Sequence, residues 1–226
     1  MKILIVDSNI ESGIGSADLV RFFRAPLGLQ VQVRRGPQRD LPQDPSAYGG
    51  IVLSGSLTRA TDSSPWVSDL ENFTLKVIQK KIPLLGVCFG HQIIARALGG
   101  LEYVGKGKTP EFGWTKLEVQ NKSQLFDGLP DRFYSFSSHY DEVKRLPPGS
   151  KLLATSELCP VQAFEGLESP FWGIQFHPEK FLEDVQGDYK KQKKQGIFLN
   201  PHKGDSLFSP VVGKKIFENF LGVLGK

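Results

Sequence analysis

Pro83-Leu84-Leu85-Gly86-Val87-Cys88-Phe89-Gly90-His91-Gln92 is the stretch that decides how this chain folds. An apolar run enters Gly-Val-Cys-Phe-Gly and helical periodicity follows at once, which is the G-x-nucleophile-x-G layout of a nucleophile elbow. A residue at such a strand-to-helix turn presents its side chain above the carboxyl edge of a sheet, where ligands bind in open α/β folds. The backbone there is crowded, and glycines two before and two after remove the Cβ atoms that would clash. The helix N-terminus favours a thiolate, the attacking form of cysteine. Its free N–H groups suit an oxyanion, that of Phe89 first among them. Without a base nearby, the same Cys88 is simply a small buried hydrophobe at a strand end.

Working outward, strand and helix patterns alternate on the N-terminal side. Lys2–Val6 is a continuous apolar run of the kind buried on both faces, and Gly15–Arg24 has apolar residues at helical spacing until Pro26. Gln30–Arg34 alternates like a strand, and Gly50–Leu53 is a third strand ending at Ser54-Gly55-Ser56. Trp66–Lys80 is helical, Ile82–Val87 is the fourth strand, and Gln92–Leu98 is a helix closed by Gly99-Gly100. This alternation predicts a central, mostly parallel sheet flanked by helices.

After Leu101 the pattern shifts to short strands at Thr115–Val119, Phe133–Ser137, Lys151–Thr155, Val161–Glu165 and Phe171–Phe176. A more antiparallel C-terminal half is expected, its last strand returning to the sheet, followed by an amphipathic helix at Lys214–Leu224. The reading is one α/β domain over residues 1–226 with a polar insertion at 185–210, whether lid, docking element or unstructured insert.

Composition narrows the class. The 226 residues are 39% hydrophobic and 23% charged, ordinary values for a soluble globular chain. Apolar runs such as Ile3–Val6 are far too short to span a bilayer, and MKILIVD reaches Asp7 before a secretory core could form. A cytoplasmic location is expected, with no membrane partner. The formal charge of +4 owes much to Lys190-Lys191-Gln192-Lys193-Lys194, a solvated run without interleaved aromatics, so no nucleic-acid partner is expected. Cys88 and Cys159 are the two cysteines, and in a reducing compartment an isolated cysteine in a special setting is more often reactive than structural.

A cysteine nucleophile needs a base, and the base needs an orienter. His177 follows the apolar run Phe171–Phe176, Pro178 keeps it extended, and Glu179 stands where it can hold the far ring nitrogen. His91, in the first helical turn after Cys88, is a rival base, and His139 follows another strand end. His202 sits in a polar stretch and has no expected role. If the reading holds, two strand tips some ninety positions apart bring the sulfur and the imidazole to roughly 3–4 Å.

Taken together, Gly86–Gln92, Phe176-His177-Pro178-Glu179, Leu53-Ser54-Gly55-Ser56 and Ser137-Ser138-His139-Tyr140-Asp141 resemble the class I glutamine amidotransferases. The nearest subgroup is that of the GMP-synthetase amidotransferase domain and the free-standing γ-glutamyl peptidase-like proteins. The resemblance implies a flavodoxin-like domain and a triad of Cys88, His177 and Glu179, with a γ-glutamyl thioester on Cys88. It puts the oxyanion on N–H groups at Phe89, Gly55 and Ser56. Gln92, Ser138, His139, Tyr140 and Asp141 line the substrate pocket in the same reading. It implies neither cofactor nor metal. Two departures stand out: Ser56 and Leu57 replace a usual glycine and proline, and Tyr140 replaces a frequent glycine.

Three functions fit. The first is a glutaminase that releases ammonia for a separate synthase, since the chain shows no P-loop and leaves no room for a synthetase domain. The second is a stand-alone γ-glutamyl hydrolase with the same triad. The third is a non-catalytic metabolite-binding relative, which the intact triad disfavours.

Overall fold

The structure is a computed structural model that describes residues 1–10, 16–24, 28–186 and 207–224. Strand β1 (Lys2–Asp7) is followed by helix α1 (Ala17–Phe23), β2 (Gln30–Arg35), β3 (Gly50–Leu53), α2 (Pro65–Gln79), β4 (Leu84–Val87) and α3 (Phe89–Gly99). Then come β5 (Val104–Val119), β6 (Arg132–Val143), β7 (Ser150–Thr155), β8 (Ala163–Gly166) and β9 (Phe171–Ile174). A helical turn at 182–186 (α4) and helix α5 (Pro210–Leu221) complete the described chain.

Among the described residues nine strands form one sheet in the order β2-β1-β3-β4-β9-β8-β7-β5-β6. The pairs from β2 to β9 are parallel and those from β9 to β6 antiparallel, so the expected division into halves holds within one mixed sheet. Strand β9 is the seam, pairing parallel to β4 and antiparallel to β8.

Period-two alternation distributes the core over two faces. Ile3 and Ile5 pack with Leu19 and Phe23 of α1 and with Ile216, Phe217 and Phe220 of α5. Leu4 and Val6 point the other way, into a cluster with Val67, Leu70 and Val77 of α2 and Ile93 and Ile94 of α3. Coverage on both faces is why β1, β3 and β4 read as unbroken apolar runs. A third cluster joins Phe112, Trp114 and Phe136 of the β5–β6 hairpin to Val185 of α4, with Leu182, Leu207 and Phe208 against it.

Several boundaries differ from the sequence expectation. The β5–β6 hairpin is much longer than the expected strands, with 16 and 12 residues, because β5 already starts at Val104 and β6 runs on to Val143. That outer part holds Gly105, Gly107, Pro110 and charged residues, so hydrophobic alternation does not mark it. Its register is irregular between Lys106 and Glu111. Helix α3 begins at Phe89, directly after Cys88, and α5 begins at Pro210, where a ring without an N–H suits the first helical position. Of the polar insertion, residues 187–206 lie outside the described residues, and with them Lys190–Lys194 and His202. No described helix is long and apolar enough to cross a membrane.

Candidate active site

The elbow forms because two glycines let three backbones converge. A Cβ on Gly86 would stand 2.5 Å from the backbone of Gly90, and one on Gly90 would stand 2.5 Å from the Leu53 carbonyl oxygen. Helix α3 therefore starts hard against β3 and β4. Cys88 takes up the turn with φ of 51°, in the left-handed region that an L side chain occupies only under constraint. Its N–H donates to the Ile174 carbonyl at the end of β9, which fixes the strained residue to the seam strand.

His177 lies three residues past the end of β9 and is pinned by its own backbone. Its N–H donates to the Phe136 carbonyl at 2.6 Å, an isolated antiparallel bridge to β6. The ring places Nδ1 2.7 Å from Glu179 Oε1. Loss of hydration opposes a charge on this imidazole. The negative charges of Glu179 and of the Cys88 sulfur, with hydrogen bonding to both, nevertheless raise its pKa from 6.5 to about 10. The ring is therefore charged at neutral pH, with the Glu179 carboxyl group on one side and the Cys88 sulfur on the other. Gly55 sits at the junction, since a Cβ there would lie 3.0 Å from His177 Cε1 and 3.7 Å from Cys88 Cβ.

The other expected residues divide into three groups. Phe89 and Ser138 border the cysteine, and Ser56 follows Gly55 in the turn beside it. The Ser56 hydroxyl donates to the Ser8 carbonyl at 2.7 Å and accepts from the Thr58 N–H at 3.0 Å, so it ties the Gly55-Ser56 turn to the end of β1. Phe89 is buried against Trp66 while its N–H heads α3, and the Ser138 carbonyl lies 3.8 Å from Cys88 Sγ. Gln92 and Asp141 are engaged within the protein. Gln92 Nε2 donates to the Asp141 carbonyl at 2.7 Å and to Gln175 Oε1 at 3.0 Å. The Asp141 carboxylate accepts two bonds from Arg59, at 2.8 and 2.9 Å. Tyr140 and His139 point opposite ways: Tyr140 is 49% exposed, whereas His139 is turned inward onto Glu111.

The rival base His91 is packed against Phe164 with ring centroids 4.7 Å apart. Burial, with some help from the charge of His139, lowers its pKa to about 3, so it is a neutral core group. Cys159 is buried and free, as is Cys88; burial and the charge of Glu111 push its thiol well above the usual range.

Sequence reasoning missed the supporting groups. Arg21 of α1 donates from Nη2 to the Glu179 carbonyl at 3.0 Å, pairs with Asp184, and lies 4.1 Å over the Phe181 ring. Arg59, Glu111 and Gln175 likewise lie outside every motif and meet their partners only through long-range pairing.

Comparison with known proteins bears on the family and the fold. The family model described as "Glutamine amidotransferase class-I" matches residues 19–193. A subunit of the glutamine-hydrolysing GMP synthase from Thermococcus kodakarensis is 40% identical over 132 residues, which is 58% of this chain and 65% of that protein. The corresponding protein from Pyrococcus abyssi is 39% identical over 148 residues, covering 63% of this chain and 74% of that one. The chain thus spans just under two thirds of the first relative's length. The crystal structure of a glutamine amidotransferase from Methylobacillus flagellatus superposes with a TM-score of 0.84 at 22% identity, over 100% of this chain and 96% of that one, and so shares the fold.

Proposed function

The chain belongs to the class I glutamine amidotransferase family, and from that premise we propose that it hydrolyses the side-chain amide of glutamine at Cys88 and hands the ammonia to a separate acceptor enzyme. The observation that carries this reading is the arrangement at the elbow, where Cys88 with φ of 51° and His177, 2.7 Å from Glu179 Oε1, meet across the Gly55 turn.

In the proposed sequence the Cys88 thiolate attacks the amide carbon, and the negative charge moves to the former carbonyl oxygen. N–H groups at Phe89, the head of α3, and at the Gly55-Ser56 turn stabilise that oxyanion. His177 then gives its proton to the departing amine, releasing ammonia and leaving a γ-glutamyl thioester. Neutral His177 next takes a proton from water, the resulting hydroxide attacks the thioester, and glutamate leaves as the thiolate returns. Glu179 keeps the ring in the productive orientation throughout and offsets its positive charge.

A stand-alone γ-glutamyl hydrolase using the same groups is the second reading. Leu57 and Tyr140, 69% and 49% exposed, stand on the two chain segments that flank Cys88 and offer contacts to a substrate larger than an amide nitrogen. Ammonia and glutamate release should be assayed with glutamine and with a panel of γ-glutamyl dipeptides. Glutamine turnover that rises when an acceptor synthase is added supports the first reading. Turnover of dipeptides with glutamine ignored rejects it in favour of the second. Cys88→Ala should abolish turnover of every substrate, a loss on the order of 10⁴-fold or more for a covalent nucleophile; retained activity would identify a different nucleophile.

A further inference from the structure

We propose that Glu111 and His139 form a buried dyad sharing one proton, and that this dyad positions the segment Ser138–Asp141 beside Cys88, which makes His139 a positioning residue and not a ligand of the substrate. The proposal rests on Cys88 being the nucleophile.

Glu111 and His139 are direct cross-strand partners on β5 and β6, just past the register irregularity between Lys106 and Glu111. Their side chains are 1% and 3% exposed. His139 Nε2 lies 2.8 Å from Glu111 Oε2, and Nδ1 lies 3.1 Å from the Asp141 carbonyl oxygen. A carbonyl can only accept, so Nδ1 must carry a proton. Nε2 then either donates a second proton to a carboxylate or accepts one from a carboxylic acid. Both arrangements leave the pair with one shared proton and no net charge, the condition under which ionisable groups tolerate burial.

The rest of the cluster closes around Glu111. Gln162 Nε2 donates to Oε2 at 2.6 Å and the Ser156 hydroxyl donates to Oε1 at 2.8 Å. The Cys159 N–H donates to the same hydroxyl at 3.0 Å. The ligand-type atoms of Glu111, His139 and Cys159 lie within 4.8 Å of one another, but both Glu111 oxygens are already held by protein donors. Protein groups thus engage both oxygens of this carboxyl group.

The dyad acts through the Asp141 carbonyl. That oxygen receives His139 Nδ1 from its own strand and Gln92 Nε2 from the first turns of the elbow helix, so each lone pair holds one element. The segment between them carries the Ser138 carbonyl that faces Cys88 Sγ and the Asp141 carboxylate that Arg59 grips. Releasing the carbonyl frees this segment to move relative to the sulfur, which weakens substrate binding before it alters the chemistry at Cys88.

Two substitutions separate this from a purely packing role. His139→Asn keeps a donor near Nδ1 for the Asp141 carbonyl but cannot reach Glu111; His139→Gln keeps the reach to Glu111 and loses the Asp141 donor. The expected result is a KM for Gln about tenfold above that for Asn, with kcat differing by no more than about threefold. The reverse ranking, or equal losses falling on kcat, overturns the proposal. In the wild-type protein a long-range ¹⁵N–¹H spectrum should show His139 Nδ1 protonated, and an unprotonated Nδ1 overturns it without any variant having to fold. If the wild type turns over no γ-glutamyl compound, the proposed function has failed by itself, and the spectrum still decides the dyad.

Discussion

Three enclosed histidines in this protein sit in three different settings, and for two of them the neighbours decide the charge. His91 has Phe164 against its ring, and burial holds it neutral with a pKa of about 3. His139 meets the Glu111 carboxyl group and the Asp141 carbonyl, the two contacts of the proposed dyad. The His177 side chain is only 11% exposed, but Glu179 and the Cys88 sulfur outweigh the loss of hydration and raise its pKa to about 10. Because this value is raised above the ordinary 6.5, the imidazolium's contribution to stability is complete below about 6.5 and is lost as pH climbs through about 10. The same window governs the proposed chemistry: kcat/KM should hold on the alkaline side until pH approaches about 10. Glu179→Gln removes the foremost charge that raises the pKa, and the alkaline limb of the pH profile should then move down toward neutrality. A limb that stays in place would show that Glu179 does not set the charge of the base. Gly55 offers a steric probe of the same geometry, since an added Cβ would stand 3.0 Å from His177 Cε1. Gly55→Ala should lower kcat by about tenfold through displacement of the ring, with thermal unfolding nearly unchanged.

At the level of the element, the elbow is a steric device before it is a chemical one. The Cβ of an alanine at Gly90 would press on the Leu53 carbonyl oxygen at 2.5 Å and on the Leu53 side chain at 2.7 Å, both on a strand that cannot yield without moving the sheet. Gly90→Ala should destabilise the protein by about 3 kcal/mol, toward the upper end of over-packing costs, measured as a fall in the urea midpoint. Stability within about 0.5 kcal/mol of wild type would mean that α3 does not approach β3 as closely as described. The same crowding explains why this region was legible in the sequence: the glycines, the apolar strand and the helical periodicity are all local signals. Cys88 and His177 could be named because each follows an apolar strand, and Glu179 because it stands two residues after His177. The outer half of the β5–β6 hairpin was not legible, because it pairs on one side only and its glycines and charges hide the alternation. His139 was expected in the substrate pocket and turns inward, because its orientation depends on Glu111, 28 positions away on the opposite strand. Arg21 and Arg59 escaped for the same reason, as each is selected by a partner that only tertiary pairing supplies.

On the scale of the whole molecule, the sheet brings Cys88 and His177 to one edge, and α5 packs against the segment that follows His177. Cys88 follows β4 and His177 follows β9, and these strands are hydrogen-bonded neighbours although roughly ninety residues separate them. Parallel pairing puts both C-terminal ends at one edge of the sheet, the edge where open α/β folds bind ligands. Helix α5 then crosses the opposite face from α2 and α3, with Phe217 stacked on Phe22 of α1 at 4.4 Å between ring centroids. At Gly213 this helix comes so close to the His-Pro-Glu segment that a Cβ would collide with the Pro178 carbonyl oxygen and touch Phe22 Cζ at 3.4 Å. Pro178 links His177 to Glu179, so a helix forced outward here disturbs the triad as well as the core. Gly213→Ala should cost about 2 kcal/mol of stability through over-packing and should lower kcat/KM in the same variant. Val211→Ala, on the exposed side of the same helix, is the control and should change neither. Urea unfolding and glutaminase kinetics on both variants test the coupling. A Gly213→Ala protein that loses stability yet keeps full activity would show that α5 supports the core without steering His177.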